Sequence, residues 1–279
     1  MVALNNIRSR LKAVDNIKQI TTSMEMVSSA RLRKAQDRAK KAQFYVARMR
    51  EILERLEASS IDYKHPLFEK REVKKMGVVV VASDRGLCGS YNSRIFSSVD
   101  KLLRPGAELI LLGRKAVQYY QGQQWPIRRE WTGWSGKTNF LQIKEFTDSL
   151  LQDFLRGGLD AIWLVYTQFH HLMQRDVVVE QFLPIGKPRA DKTHKPLNYI
   201  FEPDLPEVYE QILSRYCSTQ IETMLDQAYA SELAARIFAM KAASKNAEEM
   251  LEHLTLERNK VRQSNITREL LEITSSTQG

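Results

Sequence analysis

The strongest pattern in the chain is a long amphipathic repeat at each end, interrupted by neither proline nor glycine. All eight prolines, and every glycine except Gly279, lie between Pro66 and Pro206. Proline removes a backbone donor and glycine costs about 1 kcal/mol at a helical site, so both interrupt helices. Their absence predicts two very long helices, over roughly residues 2–58 and 207–274.

Both ends carry the 4-3 spacing of a coiled-coil seam. In the first helix the seam residues are Leu32, Ala35, Ala39, Ala42, Val46, Met49, Leu53 and Leu56. In the last helix they are Leu233, Ile237, Met240, Ser244, Ala247, Leu251 and Leu254, and the seam continues poorly through Arg258, Val261 and Asn265. Nearer the N-terminus the apolar stripe moves from Leu4, Ile7, Leu11 and Val14 onto Ile17, Ile20, Met24 and Val27, which predicts a break in the heptad.

The two repeats are expected to pair with each other. A helix of about 57 residues spans roughly 85 Å, must protrude from a small domain, and cannot bury its stripe alone. Residues 1–58 hold 13 Lys/Arg against 6 Asp/Glu, whereas residues 207–279 hold 8 against 11. The opposite charge balance favours an intramolecular antiparallel coiled coil formed by these two segments.

The middle of the chain alternates short apolar runs with helical segments. The runs are KMGVVVVAS, ELILLG, AIWLVYTQF and DVVVEQFLPI, with WPIRREW a weaker candidate. The helical segments between them are NSRIFSSVDKLL, RKAVQYYQG and TNFLQIKEFTDSLLQDFL. This β-α-β-α order predicts an α/β globular domain over residues 73–186, with a Rossmann-like, mostly parallel sheet. A proline-rich connection over residues 187–206 follows and leads into the last helix.

The net charge of +9 raises the question of an anionic partner. Basic side chains crowd one stretch of the first helix, at Arg31, Arg33, Lys34, Arg38, Lys40 and Lys41, and could track phosphates. That stretch has no aromatic residue on which bases could stack. A solvated or partner-facing helix is the favoured interpretation, and a basic coiled-coil nucleic-acid-binding protein is the alternative.

Two glycine-containing segments suggest ligand chemistry. SDRGLCGSYN, residues 83–92, follows a strand and precedes a helix, where α/β proteins bind ligands. Gly86 and Gly89 could open backbone amides toward an anion and Cys88 could act as a nucleophile, but a structural turn is favoured because no base is placed beside it. GWSGKT, residues 133–138, lacks the spacing of a phosphate-binding loop. An enzyme built on Cys88 remains a third reading.

Composition limits the remaining possibilities. No apolar run approaches the roughly 20 residues that cross a bilayer, and the first residues lack the apolar stretch of a secretory signal. A cytosolic protein is therefore expected. The two cysteines, Cys88 and Cys217, lie far apart without a CxxC or Cys/His cluster, so neither a disulfide framework nor a metal site is expected.

Four segments together resemble one family over almost the whole chain and in the same order. They are IRSRLKAVDNIKQITTSMEMVSSARLRKAQ near the start, SDRGLCGSYNS in the middle, YIFEPD before the last helix, and SELAARIFAMKAASKNAEEMLEHLTLERNKVRQSNITRELLEI at the end. The chain resembles the gamma subunits of F-type ATP synthases. One departure is Thr22, which stands where the family commonly has lysine.

The resemblance implies a non-catalytic central rotor shaft without a cofactor. In the family, ions crossing the membrane sector turn the c-ring, and the shaft turns with it inside the alpha3beta3 hexamer. The asymmetric shaft drives the three catalytic beta subunits through different nucleotide affinities. The partners implied are this hexamer, the epsilon subunit and the c-ring, with no nucleic acid. The implied location is peripheral, on the cytoplasmic face of a bacterial inner membrane.

The resemblance also implies three groups of contact residues and no catalytic or metal-binding residue. Arg262, Gln263 and Thr267 match positions that engage the catch loops of beta. On the first helix, Met24, Arg31 and Arg33 match positions facing beta. The foot residues, expected to meet the c-ring and epsilon, are Tyr199, Phe201, Glu202 and Asp204.

Overall fold

The computed structural model describes residues 2–58, 65–136, 139–186, 202 and 204–276. Two long helices, α1 (Val2–Ala58) and α5 (Leu205–Ser276), enclose all the other elements in sequence. The first elements between them are a 3-10 helix (Pro66–Phe68), β1 (Met76–Val81), α2 (Tyr91–Leu102), β2 (Ala107–Leu112) and α3 (Arg114–Tyr120). They are followed by β3 (Ile127–Trp131), α4 (Phe140–Leu155), β4 (Ala161–Phe169) and β5 (Arg175–Leu183).

The five strands form one mixed sheet in the order β3-β2-β1-β4-β5. β1 pairs in parallel with both β2 and β4, and β2 pairs in parallel with β3. β5 is antiparallel to β4. Gly77 to Val81 are buried, which fits a central strand covered on both faces. The predicted fold, a mostly parallel sheet between two long terminal helices, is confirmed.

The chain divides into two compact units. We call Met1–Ser29 with Arg236–Gly279 the helical unit and Ala30–Ala235 the sheet unit. Each long helix therefore contributes to both units. The domain boundaries derived from the sequence remain a prediction. None of the helices in the described ranges has the length and apolarity needed to cross a membrane.

The helical unit is an antiparallel pair of helices. Lys18 Nζ lies 2.8 Å from Glu248 Oε1. One helical turn further along α1, the hydroxyls of Thr22 and Ser244 are 2.9 Å apart. Because the partner number falls by four as the α1 number rises by four, the two segments run in opposite directions. Thr22, the departure from the family pattern, thus has a hydroxyl partner on the facing helix.

The predicted break in the α1 heptad is wrong. Ile17, Ile20 and Val27 are 51%, 59% and 51% exposed, so they do not form the seam. Thr21 and Ser28 are buried in their place and continue the unbroken 4-3 spacing. Each hydroxyl donates to the carbonyl four residues earlier on its own helix, at 2.9 and 2.7 Å. These hydrogen bonds within α1 satisfy the two hydroxyls, so Thr21 and Ser28 can be buried in the seam while Ile17, Ile20 and Val27 are exposed.

The core of the sheet unit lies on both faces of the sheet. On one face α4, the end of α1 and the start of α5 pack together through Phe146, Met49 and Leu213. On the other face α2 and α3 cover the strands, and Ile95 and Tyr120 are fully buried there.

An arginine cluster fixes β3 to α4. Arg128 donates to both carboxylate oxygens of Asp153, at 3.0 and 2.8 Å, and to Glu108 Oε2 at 2.8 Å. Arg129 Nη1 also lies 3.0 Å from Asp153 Oδ2. A planar guanidinium matches a carboxylate through two parallel bonds, so this pairing fixes direction as well as distance.

Candidate partner-binding surface

The turn after β1 is the position at which an enzyme of this fold would bind its ligand. Leu87 and Gly89 have φ values of 64° and 58°, which makes the turn tight. Cys88 is buried. Its sulfur lies 3.4 Å from the Asn92 amide nitrogen, 3.8 Å from the Ser83 hydroxyl and 3.9 Å from the Arg85 carbonyl. These groups solvate a thiol but do not take its proton.

Backbone amides of the GWSGKT segment bind a carboxylate of the chain itself. Asp84 is buried and accepts backbone N–H groups of Gly133, Ser135 and Arg114 at 2.9, 3.2 and 3.2 Å. Burial alone would raise the pKa of Asp84, but these three hydrogen bonds hold it below its usual value. The GWSGKT segment therefore presents Gly133 and Ser135 to Asp84 rather than to a phosphate. The acidic partner for these amides was not foreseen from the sequence.

α5 fills the crevice at the carboxyl ends of β1 and β4. Phe169 N donates to Gln227 Oε1 at 3.0 Å, and Ser231 Oγ donates to the Thr167 carbonyl at 3.0 Å. Tyr91 OH donates to the Ala228 carbonyl at 3.1 Å. The cavity left beside α5 measures about 30 Å³, which is far too small for a substrate. The crevice that α5 fills thus has no room for a ligand.

The resemblance to gamma subunits implies activity within an ATP synthase complex, and replacing Cys88 with serine is expected to change the ATP turnover of such a complex by less than about twofold. The serine hydroxyl is smaller than the thiol and can use the same polar neighbours, so the turn should keep its shape. Steady-state ATP hydrolysis by complexes containing the wild-type or variant chain measures the effect. A complete loss of turnover with an unchanged unfolding midpoint would restore Cys88 as a nucleophile.

The helical unit presents large apolar side chains on its outer surface. Ten of them are at least 38% exposed: Ile17, Ile20, Met26, Val27, Phe238, Met250, Leu256, Ile266, Leu270 and Leu271. They are distributed along much of both helices, and large exposed apolar surface marks interaction sites. This distribution is typical of a surface that binds other proteins.

The predicted contacts near the C-terminus lie on this surface. Arg262, Gln263 and Thr267 are all exposed. The Thr267 hydroxyl donates to the Gln263 carbonyl at 3.0 Å, so it is bound to its own helix. The side chains of Arg262 and Gln263 have no hydrogen bond or ion pair with the described part of the chain. Both can therefore bond to a partner without first breaking an internal contact.

The register of the helical unit shows where these residues lie along the pair. Extending the pairing of Lys18 with Glu248 places Val2, the first residue of α1, opposite Ser264. By this extrapolation Arg262 and Gln263 lie close to the level of Val2.

The other predicted contacts are distributed over both units. Met24 is half-buried in the helical unit, whereas Arg31 and Arg33 are exposed residues of the sheet unit. Met24 therefore belongs to the same unit as Arg262, whereas Arg31 and Arg33 belong to the other unit.

The predicted foot is only partly described. Tyr199 and Phe201 lie outside the described residues. Glu202 and Asp204 are exposed. Asp204 Oδ1 accepts the backbone N–H of Glu207 at 2.9 Å and so caps the start of α5. An aspartate followed three residues later by glutamate is a helix-start signal that the sequence had already displayed.

Metal chemistry has no basis among the described residues. No group of three or more His, Cys, Asp or Glu side chains there is placed to hold a metal ion. His170 and His171 lie on the β4–β5 turn, where His170 Nε2 lies 3.4 Å from Asp176 Oδ2 and His171 Nδ1 accepts the N–H of Met173. The histidine pair thus serves the turn.

Comparison with known proteins decides the family. A family model described as ATP synthase matches residues 3–279. A protein named ATP synthase gamma chain from Protochlamydia amoebophila (strain UWE25) is 51% identical over 100% of this chain and 99% of its own length. The chain belongs to the ATP synthase gamma chain family. A gamma chain of Heliobacterium modesticaldum (strain ATCC 51547 / Ice1) is 35% identical over 98% of this chain and 97% of its own length.

Solved structures show the same fold. The rotor of the Euglena gracilis mitochondrial ATP synthase in rotational state 1 contains a chain with a TM-score of 0.70 at 17% identity. That match covers 95% of this chain and 99% of the other. A chain of the OSCP/F1/c-ring assembly in rotational state 3 gives a TM-score of 0.72 at 20% identity, covering 99% and 93%.

This gamma-family chain is accordingly a component of ATP synthase. The function implied by the sequence resemblance is confirmed at that level.

Proposed function

We propose that the chain is non-catalytic and transmits rotation from a c-ring to the catalytic sites of an alpha3beta3 hexamer. The observation that carries the proposal is the full-length relationship to gamma chains. The filled crevice beside α5 supports it, because the ligand position of the sheet is taken by the chain itself. The exposed apolar surface of the helical unit supports it as well, since a hexamer could enclose that surface.

Torque transfer requires contacts that form and break as the rotor turns. Arg262 can fork onto a carboxylate of a beta catch loop, and Gln263 can bond backbone groups at short range. Shifting one site from a 1:99 to a 99:1 ratio of states requires about 5.5 kcal/mol of differential binding. Hydrogen bonds to charged groups contribute about 1.5–3 kcal/mol each, so a few of them per step are of the right size. Thr267, Met24, Arg31 and Arg33 are proposed as further beta contacts.

The lower end of the rotor is proposed to meet the c-ring and the epsilon subunit through Tyr199, Phe201, Glu202 and Asp204. The carboxylates of Glu202 and Asp204 are exposed and suit basic groups of a partner. Through these partners the chain would be held peripherally at the cytoplasmic face of a bacterial inner membrane.

The isolated chain is expected to bind the alpha3beta3 hexamer and to hydrolyse no ATP. Gel filtration of the mixed components and a phosphate-release assay measure the two properties. The matched control is duplex DNA titrated at two salt concentrations. A nucleic-acid-binding protein that neutralises six phosphates would lose about 1000-fold in affinity between 50 and 200 mM salt. Tight, steeply salt-dependent DNA binding without binding to the hexamer would overturn the proposal.

A further inference from the structure

The sheet unit carries an exposed cluster of aromatic and arginine side chains at the start of α4. The Arg215 guanidinium carbon lies 5.6 Å from the ring centroid of Tyr45 and 5.2 Å from that of Phe140. One guanidinium thus contacts an aromatic ring from α1 and another from α4. We call Phe44, Tyr45, Phe140, Leu141 and Arg215 the aromatic–arginine patch.

This patch is open to solvent although its side chains are large. Phe44 is 65% exposed, Tyr45 42%, Phe140 50% and Leu141 68%. Arg215 is also exposed. The buried seam of this part of α1, at Ala39, Met49 and Leu53, lies on the side of the helix opposite Phe44. The ring of Phe44 is therefore not needed for packing within the sheet unit.

Ring contacts leave the hydrogen-bonding edge of Arg215 free. Aromatic rings contact the flat face of a guanidinium, whereas its N–H groups lie in its plane. No carboxylate in the described ranges forms an ion pair with Arg215. The two rings restrict the guanidinium and so reduce the entropy lost when it binds.

The neighbouring arginines of α1 are already in ion pairs. Arg48 Nη1 lies 2.7 Å from Glu51 Oε2, and Arg55 Nη2 lies 2.5 Å from Glu51 Oε1. Arg50 Nε lies 3.2 Å from Glu54 Oε1. Because three arginines share two carboxylates, this part of α1 keeps a positive charge, which favours an acidic partner. Within the patch, Arg215 is a guanidinium without an ion pair among the described residues.

We propose that the patch binds an acidic protein segment that presents one carboxylate to Arg215 and an apolar side chain to Phe44 and Leu141. Aromatic residues and arginine are the types most enriched at the energetic centres of protein interfaces. A carboxylate matches the guanidinium of Arg215. The inference extends the proposed function, because the segment belongs to another subunit of the assembly in which the chain works.

Chemical labelling tests the proposal in the full chain and in the assembled complex. Ala47 is exposed on α1 one turn after Phe44, so Ala47→Cys places a thiol beside the patch without removing a patch side chain. Cys88 and Cys217 are buried and should react slowly with a maleimide. The thiol at 47 is expected to react at least about tenfold more slowly in the complex than in the isolated chain. Lys101→Cys on α2 is the control and should react equally in both.

Charge variants separate the acidic segment from other occupants. In the Ala47→Cys chain, Arg215→Glu is expected to restore the labelling rate in the complex to within about twofold of the isolated chain. Arg215→Lys should restore it only partly. Arg156→Glu, an exposed arginine after α4, should leave the protection intact.

Three results would overturn the proposal. Equal labelling of the thiol at 47 in both samples would show that no partner covers the patch. Protection already in the isolated chain would show that another part of this chain covers it. Protection that survives Arg215→Glu would show that the partner does not bind Arg215 through a carboxylate. Failure of the rotor function itself would be recognised separately, as loss of binding to the hexamer by the unmodified chain.

Discussion

Replacing Arg262 and Gln263 with alanine is expected to lower ATP turnover of the reassembled complex at least about tenfold. The two side chains are exposed and make no internal bond in the described chain, so the substitution removes contacts to a partner only. A charge-assisted hydrogen bond contributes about 1.5–3 kcal/mol, and 1.36 kcal/mol corresponds to a tenfold rate change. Steady-state ATP hydrolysis with saturating nucleotide measures the effect.

The matched control uses the same part of α5. Lys260 and Ser264 are exposed neighbours outside the predicted contact positions, and their joint replacement with alanine should leave turnover within about twofold. Circular dichroism should show equal helix content for both double variants, because alanine favours the helix. Equal turnover in the two variants, or a loss traced to unfolding, would remove Arg262 and Gln263 from the mechanism.

Replacing Gly113 with alanine is expected to destabilise the sheet unit by more than about 4 kcal/mol, near the upper limit for single substitutions. Gly113 follows β2 with a φ of 94°, a region that residues with a Cβ rarely adopt. A Cβ added there would lie 2.1 Å from the carbonyl oxygen of Ala82, so the backbone after β1 would have to move. Urea unfolding followed by circular dichroism measures the free energy of unfolding.

Gly122 is the control for this substitution. Its φ of 87° is similar, but an added Cβ would meet nothing within 4 Å. Gly122→Ala is therefore expected to cost only the backbone strain, about 1–3 kcal/mol. If Gly113→Ala cost no more than Gly122→Ala, the close approach of the β1 and β2 ends would be wrong.

The sequence predicted the regular elements well because the strongest local signals agree with the fold. The restriction of proline and glycine to the middle matches helices that end at Ala58 and begin at Leu205. The antiparallel direction of β5 was not predicted, although the sequence carries its signal: only residues 170–174 connect β4 to β5, too few for the crossover that parallel strands need. The sequence pattern also placed Ile17 and Ile20 in the seam, since apolar side chains usually occupy it; the hydroxyl of Thr21 instead bonds within its own helix there.

Of the candidate partner-binding surface, the sequence could predict only the exposed residues near the C-terminus. The unpaired side chains of Arg262 and Gln263 fit the predicted contact role, which remains a prediction. The contact of Asp84 with the amides of Gly133 and Ser135 could not be predicted, because it joins residues about 50 positions apart in the sequence. Nor could the sequence show that Gln227 closes the crevice at the end of β4, since only the packing of α5 reveals it.

The most direct test of the central claim is to watch the chain turn. A fluorescent bead attached to a cysteine introduced in the sheet unit, at Lys101, would report its orientation while the alpha3beta3 hexamer is fixed to a surface. With ATP present, the bead is expected to rotate in one direction and pause three times per turn, once for each catalytic beta subunit. A bead that stays at one angle while the same complexes hydrolyse ATP at the full rate would contradict the rotor assignment.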